Sequence, residues 1–183
     1  MKDVKSLLFF LLLKSVVFLG QTKVNTDITS GLLLHLDAGN SSSYSGNGNT
    51  WSDLSPSGNN GTINGATFNS TNKSFDFDGT NDYVGLSAVL PQGQAVYTIE
   101  GYFKPDTQQT DVIFEQVQTG GGQHTRAAMM TIDDGYGGFN GWSNDFHDNT
   151  PVRIGDWNYW TITVDKNAGS NQVKVYVNGI LQS

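Results

Sequence analysis

The feature of this sequence that most constrains its fold is an alternation of apolar and polar residues with a period of two. Residues 97–104, 160–164 and 173–177 show it most clearly, and the leucine-rich segment 31–38 is a further strand candidate. Such alternation is typical of antiparallel strands that bury one face and expose the other. No window of the sequence shows a sustained helical period. The sequence therefore predicts an all-β fold built from antiparallel strands.

Composition supports the same fold class and indicates how the strands are joined. Glycine, asparagine, serine and threonine account for 72 of the 183 residues, and charged residues for only 15%. Glycine, asparagine and serine are poor helix formers, whereas threonine favours strands. Many short strands separated by Gly/Asn turns need two sheets to bury their apolar faces. We therefore expect a β-sandwich formed by two sheets.

The end of the sequence carries a strong hairpin signal. The alternating segment 173–177 leads into Asn178-Gly179, the dipeptide most typical of a tight β-turn, and 180–182 would form a short returning strand. A short apolar strand left at a sheet edge is an aggregation hazard. We therefore expect the sheet to continue with strands beyond Ser183. The alternative is that the sheet ends with this short strand.

The N-terminus has the pattern of a secretion signal. Lys2 and Lys5 precede an apolar run over 7–13, and a second run ends before Gly20. The stretch is too short and too interrupted for a membrane-spanning helix of about 20 apolar residues. We predict a signal peptide over 1–20, a lead-in over 21–30, one domain over 31–183, and a secreted or cell-surface protein. The alternative is a retained membrane tether.

Charge and cysteine content exclude several classes of partner and chemistry. The net charge is −7, and removal of residues 1–20 leaves seven basic and sixteen acidic residues, a net charge of −9. An acidic domain with scattered cations lacks the clustered positive charge that binds nucleic acid or anionic lipid, so we expect neither partner. We also expect no membrane span after signal removal. The absence of cysteine excludes disulfides, a thiolate zinc site and a cysteine nucleophile.

Several short motifs resemble those of a known family. They occur in the order GLLLHLDA (31–38), WSDLS (51–55), NNGT (59–62), FDGTNDYV (77–84) and YVNG (176–179). Together they resemble the laminin G-like branch of the concanavalin A-like lectin/glucanase superfamily, in the form found on secreted bacterial surface proteins. The resemblance implies an antiparallel two-sheet jelly-roll β-sandwich that serves as a recognition module. It also implies further strands after the YVNG hairpin and further domains C-terminal to this segment.

Because the superfamily includes glucanases, catalysis needs a separate test. A retaining glycosidase requires two carboxylates about 5–5.5 Å apart, and its catalytic strand in these glucanases typically carries E-x-D-x-x-E or a close relative. The sequence has only Glu100 and Glu115, and neither lies in such a motif. Asp76 and Asp78 have i, i+2 spacing, but they fall within the strand–turn motif of the lectin-like branch. We therefore expect no catalytic residue and no enzymatic activity from this segment.

Calcium is the cofactor that the acidic loops favour, and otherwise no cofactor is expected. Ca²⁺ binds six to eight oxygen ligands, which carboxylates, asparagines and carbonyls of Gly-rich loops supply. The candidate metal ligands are Asn81, Asp82, Asp133, Asp134 and Asp145. For the first two, the alternative is a turn in which the side chains bond their own backbone. For Asp133 and Asp134 the alternative is a simple hairpin turn.

Sugar recognition usually combines an aromatic ring, which packs on the apolar face of a pyranose, with polar partners for its hydroxyls. The stretch 136–145 holds Tyr136, Trp142 and Asn144, which supply both. Glu100 and Tyr102 would add to the site from the polar face of their strand. The alternative is that the aromatic residues of 136–145 pack in the core or pin the loop.

These observations favour a secreted, non-catalytic carbohydrate-binding or adhesion module of a larger surface protein, which binds through its loops and the concave face of a sheet. Its partner would be a glycan or an extracellular protein. Two alternatives remain at this stage. One is a glucanase-like polysaccharide hydrolase domain or its accessory, and the other is a structural spacer of an adhesin or a phage fibre.

Overall fold

The computed structural model describes residues 4–10, 31–87, 89, 96–107, 111–117, 126–133, 136–139, 146–165, 167–169 and 172–182. Strands β1, β9, β10 and β11 are described by their backbones. Every regular element in these ranges is a strand, and every strand pair is antiparallel. The predicted all-β, antiparallel fold class is therefore confirmed. These ranges contain no helix long and apolar enough to cross a membrane.

The described ranges contain fourteen strands, numbered in chain order. They are β1 (Val4–Phe10), β2 (Thr50–Trp51), β3 (Gly61–Asn64), β4 (Thr67–Asn69), β5 (Ser74–Asp76), β6 (Tyr83–Gly85), β7 (Val96–Pro105), β8 (Asp111–Val117), β9 (Arg126–Asp133), β10 (Tyr136–Phe139), β11 (Phe146–Pro151), β12 (Asn158–Asp165), β13 (Val173–Val177) and β14 (Ile180–Leu181).

The strands pair into sheets of seven, four and three strands. The orders are β14-β13-β12-β7-β1-β5-β4, β11-β10-β9-β8 and β2-β3-β6. Composition predicted two sheets, and the described strands form three hydrogen-bonded groups. The three-stranded sheet is built from strands of two to four residues between Gly/Asn turns.

Alternation determines which face of the seven-stranded sheet is buried. In β7 the burial pattern alternates over all ten residues, and in β12 over all eight. The side chains buried on this face include Ile99 and Phe103 from β7 and Trp160 and Ile162 from β12, each completely shielded from solvent. The strands predicted at 97–104 and 160–164 are therefore confirmed, with the predicted faces inward.

One hydrophobic cluster joins the three sheets. Trp51 of β2, Ile63 of β3 and Phe114 of β8 lie in the same cluster as the buried residues of the seven-stranded sheet. The ring of Trp51 lies 4.6 Å from that of Phe75 in β5, and the Tyr44 ring lies 4.8 Å from Phe75 on another side. Aromatic packing at these distances holds the Gly/Asn/Ser-rich loop of 39–65 onto the core.

The segment 31–38 differs from its prediction as a strand. Leu34 and Leu36 are buried, but within the described residues this segment belongs to no ladder. Side chains bond part of its backbone instead. The Asp53 carboxylate accepts the amide of His35 at 2.8 Å, and the Asn59 side-chain amide donates to the carbonyl of Leu33 at 2.9 Å. These bonds satisfy backbone groups that a neighbouring strand would otherwise satisfy.

The predicted hairpin at 178–179 is confirmed. Asn178 and Gly179 both have positive φ, 51° and 81°, as a type I′ turn requires. The Asn178 side-chain oxygen also accepts the amide of Tyr159 at 3.0 Å, while the Asn178 amide donates to the Tyr159 carbonyl at 2.7 Å. The turn residue thereby fixes the backbone of Tyr159 in the neighbouring strand.

The first strand lies inside the segment that the sequence assigns to a secretion signal. Val4–Phe10 forms β1, between β7 and β5 in the seven-stranded sheet. Its register with β7 runs from Val4 opposite Pro105 to Phe10 opposite Glu100. The signal peptide remains a prediction, and the strand position of these seven residues is a separate observation.

Candidate functional site

The non-core face of β7, β12 and β13 carries a set of polar and aromatic side chains that we call the polar face. It consists of Thr98, Glu100, Tyr102, Tyr159, Thr161, Thr163, Lys174 and Tyr176. Each of these residues alternates with a side chain on the core face of its strand. The polar face therefore follows from the same period-two pattern that builds the core.

Strand register arranges these side chains in rows. Tyr102 of β7 lies opposite Tyr159 of β12. In the next row Glu100 lies opposite Thr161, which in turn lies opposite Tyr176 of β13. Side chains in directly opposed positions lie close enough to interact. The polar face is therefore a continuous surface across three strands.

Tyr102 and Tyr159 form an aromatic pair on the polar face. Their ring centroids are 4.5 Å apart, and the ring planes differ by 27°, a stacked arrangement. Tyr102 is 36% exposed, and Tyr159 is half-buried. Stacked rings restrict each other's rotation, so the pair presents apolar ring surface and two phenol groups with little conformational freedom.

Glu100 is held in place by this pair. The Tyr159 hydroxyl donates to Oε2 of Glu100 at 2.6 Å, the short distance of a charge-assisted hydrogen bond. Burial raises the pKa of Glu100, and the bond from Tyr159 and the charge of His35 oppose that rise. Burial, followed by the bond to Glu100, raises the pKa of Tyr159 to about 12. The carboxylate is thus a positioned acceptor beside the two rings.

Sequence reasoning identified Glu100 and Tyr102 but missed Tyr159 and His35. The alternation in β12 does predict that Tyr159 lies on the face opposite the core. Trp160 and Ile162 are buried, so the odd-numbered residues of the strand lie on the other face. What the sequence does not show is that β12 pairs with β7, which brings Tyr159 beside Glu100. His35 is half-buried in the segment of 31–38 and lies within electrostatic reach of Glu100.

Asn81 and Asp82, two of the predicted calcium ligands, lie in a loop that bonds to itself. The Asp78 carboxylate accepts the amide of Thr80 at 2.8 Å, and the Asp82 carboxylate accepts the amide of Asp78 at 2.9 Å. Asn81 is exposed, and its amide reaches Asp78 at 3.4 Å. The self-bonded turn that was the alternative is therefore present in this loop.

Calcium coordination by this loop stays a prediction. The ion takes six to eight oxygen ligands. In the part of the chain that the structure describes, no three His, Asp or Glu side chains are grouped to hold a metal ion. One oxygen of Asp82 is already directed at the Asp78 amide.

Two of the remaining predicted residues, Asp133 and Tyr136, lie in the β9–β10 strand pair. Asp133 ends β9 and Tyr136 begins β10, and the two lie opposite each other in the ladder. This pairing agrees with the hairpin alternative for the segment around Asp133. Asp134, Trp142, Asn144 and Asp145 lie outside the described residues, so their predicted roles stay predictions.

The comparisons with known proteins identify the family. The sequence model of the concanavalin A-like lectin/glucanases superfamily, in its laminin G-like form, matches residues 78–183. The match spans more than half of the chain and includes every residue of the polar face. The chain therefore belongs to this superfamily, whose members are β-sandwiches. Members of the laminin G-like group are mostly non-catalytic. No curated protein and no solved structure matches the chain.

Proposed function

We propose that this chain is a non-catalytic carbohydrate-binding module of a secreted or cell-surface protein and that it binds its glycan on the polar face. The observation that carries the proposal is the stacked Tyr102–Tyr159 pair with the Glu100 carboxylate bonded to Tyr159. It combines, on one solvent-facing surface, an aromatic ring for the apolar face of a sugar and a polar group for the sugar hydroxyls.

The chemistry of the polar face suits a pyranose. The exposed part of the Tyr102 ring offers apolar surface to the C–H groups of a sugar. Glu100 offers a carboxylate acceptor for sugar hydroxyls, and charge-assisted bonds of this kind are about twice as strong as neutral ones. Thr161 and Tyr176 extend the row of hydroxyl groups beyond Glu100. Such a surface would recognise a neutral sugar better than an acidic one.

The assignment to binding and not to hydrolysis rests on the number of carboxylates. A retaining glycosidase uses two carboxylates about 5–5.5 Å apart. Among the eight residues that define the polar face, Glu100 is the single carboxylate. Glu115, the other glutamate of the sequence, lies on β8 in a different sheet. The apolar run and basic residues of 1–20 support export of the protein.

A glycan array probed with the full chain tests this proposal. We expect binding to one class of neutral glycan. Calorimetric titration of the best ligand then measures its affinity. Tyr102→Ala should weaken binding at least tenfold. Tyr83→Ala is the matched control, because Tyr83 is 57% exposed and lies on β6, outside the polar face.

Three results would count against the proposal. They are the absence of any glycan binding at millimolar concentration, equal binding by both variants, and release of reducing sugar that Glu100→Gln abolishes. A parallel titration with and without EGTA tests calcium at Asp133, Asp134 and Asp145. A calcium-dependent affinity would support a metal contribution to binding, and an unchanged affinity would count against one.

A further inference from the structure

Strand β1 occupies an internal position of the seven-stranded sheet. It pairs with β7 through Ser6 opposite Lys104, Leu8 opposite Tyr102 and Phe10 opposite Glu100. On its other side Leu7 lies opposite Phe75 of β5. No direct pairing between β5 and β7 occurs in the strand order, so β1 is the link between these two strands.

The same residues carry the signature of a secretion signal. The apolar run over 7–13 begins inside β1, after Lys2 and Lys5. A signal is recognised and removed as an accessible segment, whereas an internal strand is bonded on both sides. The two roles therefore cannot be performed at the same time.

Loss of β1 would divide the seven-stranded sheet and leave backbone groups without hydrogen-bond partners. The strand order would separate into β14-β13-β12-β7 and β5-β4. One edge of β7 along Glu100–Pro105 would then lose its ladder partner. Backbone groups that lose their partners in a sheet interior are unfavourable, and an exposed apolar edge readily accepts another strand.

We propose that the position between β5 and β7 is a strand-acceptor site and that the N-terminal segment Val4–Phe10 is its occupant in the unprocessed chain. Folding of the sheet then competes with export, because the folded sheet sequesters the signal. Removal of the signal vacates the acceptor site and opens the edge of β7 beside Glu100 and Tyr102. The site binds its occupant by main-chain hydrogen bonds, as in β-strand addition.

Engineered disulfides in the full, unprocessed chain test the proposal directly, because the sequence contains no cysteine. The test pair is Ser6→Cys with Lys104→Cys, two positions that lie opposite each other. The control pair is Leu7→Cys with Lys104→Cys, which is one residue out of the observed register, in which Leu7 lies opposite Phe103. Directly opposed Cβ atoms are about 4.5–5.5 Å apart, close to the separation that a disulfide needs.

We expect the test pair to form an intramolecular disulfide under mild oxidation at least tenfold faster than the control pair, measured by mass spectrometry of linked peptides. In denaturant the two rates should become similar. Failure of the folded test pair to cross-link, or equal rates in the folded state, would overturn the proposal. If the test pair unfolds the protein, Phe10→Cys with Glu100→Cys replaces it, and Phe9→Cys with Glu100→Cys serves as its control.

Discussion

The hydroxyl of Tyr159 donates a 2.6 Å hydrogen bond to the carboxylate of Glu100 across the β7–β12 pair. These residues are 59 positions apart in the sequence, and neither belongs to a recognisable motif. Because the Tyr159 ring also stacks on Tyr102, one side chain positions both the acidic and the aromatic group of the proposed site. Tyr159 is therefore the residue on which the arrangement of the polar face depends.

Tyr159→Phe should raise the pKa of Glu100 further above its ordinary value. The bond from Tyr159 lowers this pKa, whereas burial, which the phenylalanine ring would largely preserve, raises it. The sequence contains only two glutamates, so ¹³C labelling of glutamate gives two carboxyl resonances to titrate. Glu115 provides the internal reference. An unchanged or lowered Glu100 pKa in the variant would contradict the role assigned to this bond.

Stability should fall as the pH rises above about 10. Burial raises the pKa of Tyr97 and of Tyr159 to about 12 in the folded protein, from 10.0. An unfolded tyrosine therefore loses its proton at lower pH than a folded one, so the stabilisation is intact below pH 10 and is lost as the pH approaches 12. Unfolding midpoints at pH 9, 10 and 11 measure this decline.

Tyr159→Phe should reduce the slope of that decline, because one of the two late-titrating groups is removed. Tyr83→Phe is the control, since Tyr83 is 57% exposed. A slope that is the same in the wild type and in Tyr159→Phe would show that the folded environment of Tyr159 does not oppose its ionisation.

Asp53→Asn should destabilise the protein by about 2–3 kcal/mol, because hydrogen bonds to a charged acceptor are worth about 1.5–3 kcal/mol each. The Asp53 carboxylate accepts four bonds, from the amides of His35, Ser55 and Asn59 and from the Ser55 hydroxyl, all at 2.7–2.8 Å. An amide in its place keeps one acceptor oxygen and turns the other position into a donor. Denaturant unfolding measures the loss.

Asp165→Asn is the matched control for Asp53→Asn. Asp165 is exposed, and its carboxylate accepts the amide of Asn167 at 2.9 Å. We expect this substitution to change stability by about 0.5 kcal/mol or less. Equal effects of the two substitutions would mean that the hydrogen bonds of Asp53 do not hold the segment 31–38 against the loop that carries Asp53.

Gly65→Ala should destabilise the protein more than Gly58→Ala. Both glycines have positive φ, 82° and 67°, so each substitution carries a backbone cost of about 1–2 kcal/mol. A Cβ at Gly65 would in addition overlap the Asp82 carboxylate, whereas at Gly58 no atom lies within 4 Å. The Asp82 side chain would have to leave the Asp78 amide. Unfolding experiments that give equal losses would contradict the contact between Gly65 and Asp82.

Much of the fold could be predicted because alternation is a local property. The pattern in 97–104 identified the strand, its buried face and the positions of Glu100 and Tyr102 on the opposite face. The Asn178-Gly179 turn was predictable for the same reason, since its geometry depends on two residues. Interactions that depend on strand order were not predictable. The Tyr159–Glu100 bond requires β12 to lie beside β7, which nothing in either strand specifies.

The segment of 31–38 shows a second limit of local reasoning. Its leucines favoured a strand, but they could not reveal that the Asp53 side chain would take the place of a ladder partner. The same holds for β1, whose apolar residues are typical both of a signal and of an internal strand. In both cases the group that bonds the backbone of the segment lies far away in the sequence.

The most direct measurement is a titration of ¹³C-glutamate-labelled protein with the glycan that the array selects. If the polar face is the binding surface, the Glu100 carboxyl resonance will shift with saturable dependence on ligand concentration. The Glu115 resonance will stay in place, because Glu115 lies on β8 in another sheet. A ligand that binds while the Glu100 resonance stays fixed, or that shifts only Glu115, would contradict a binding site on the polar face.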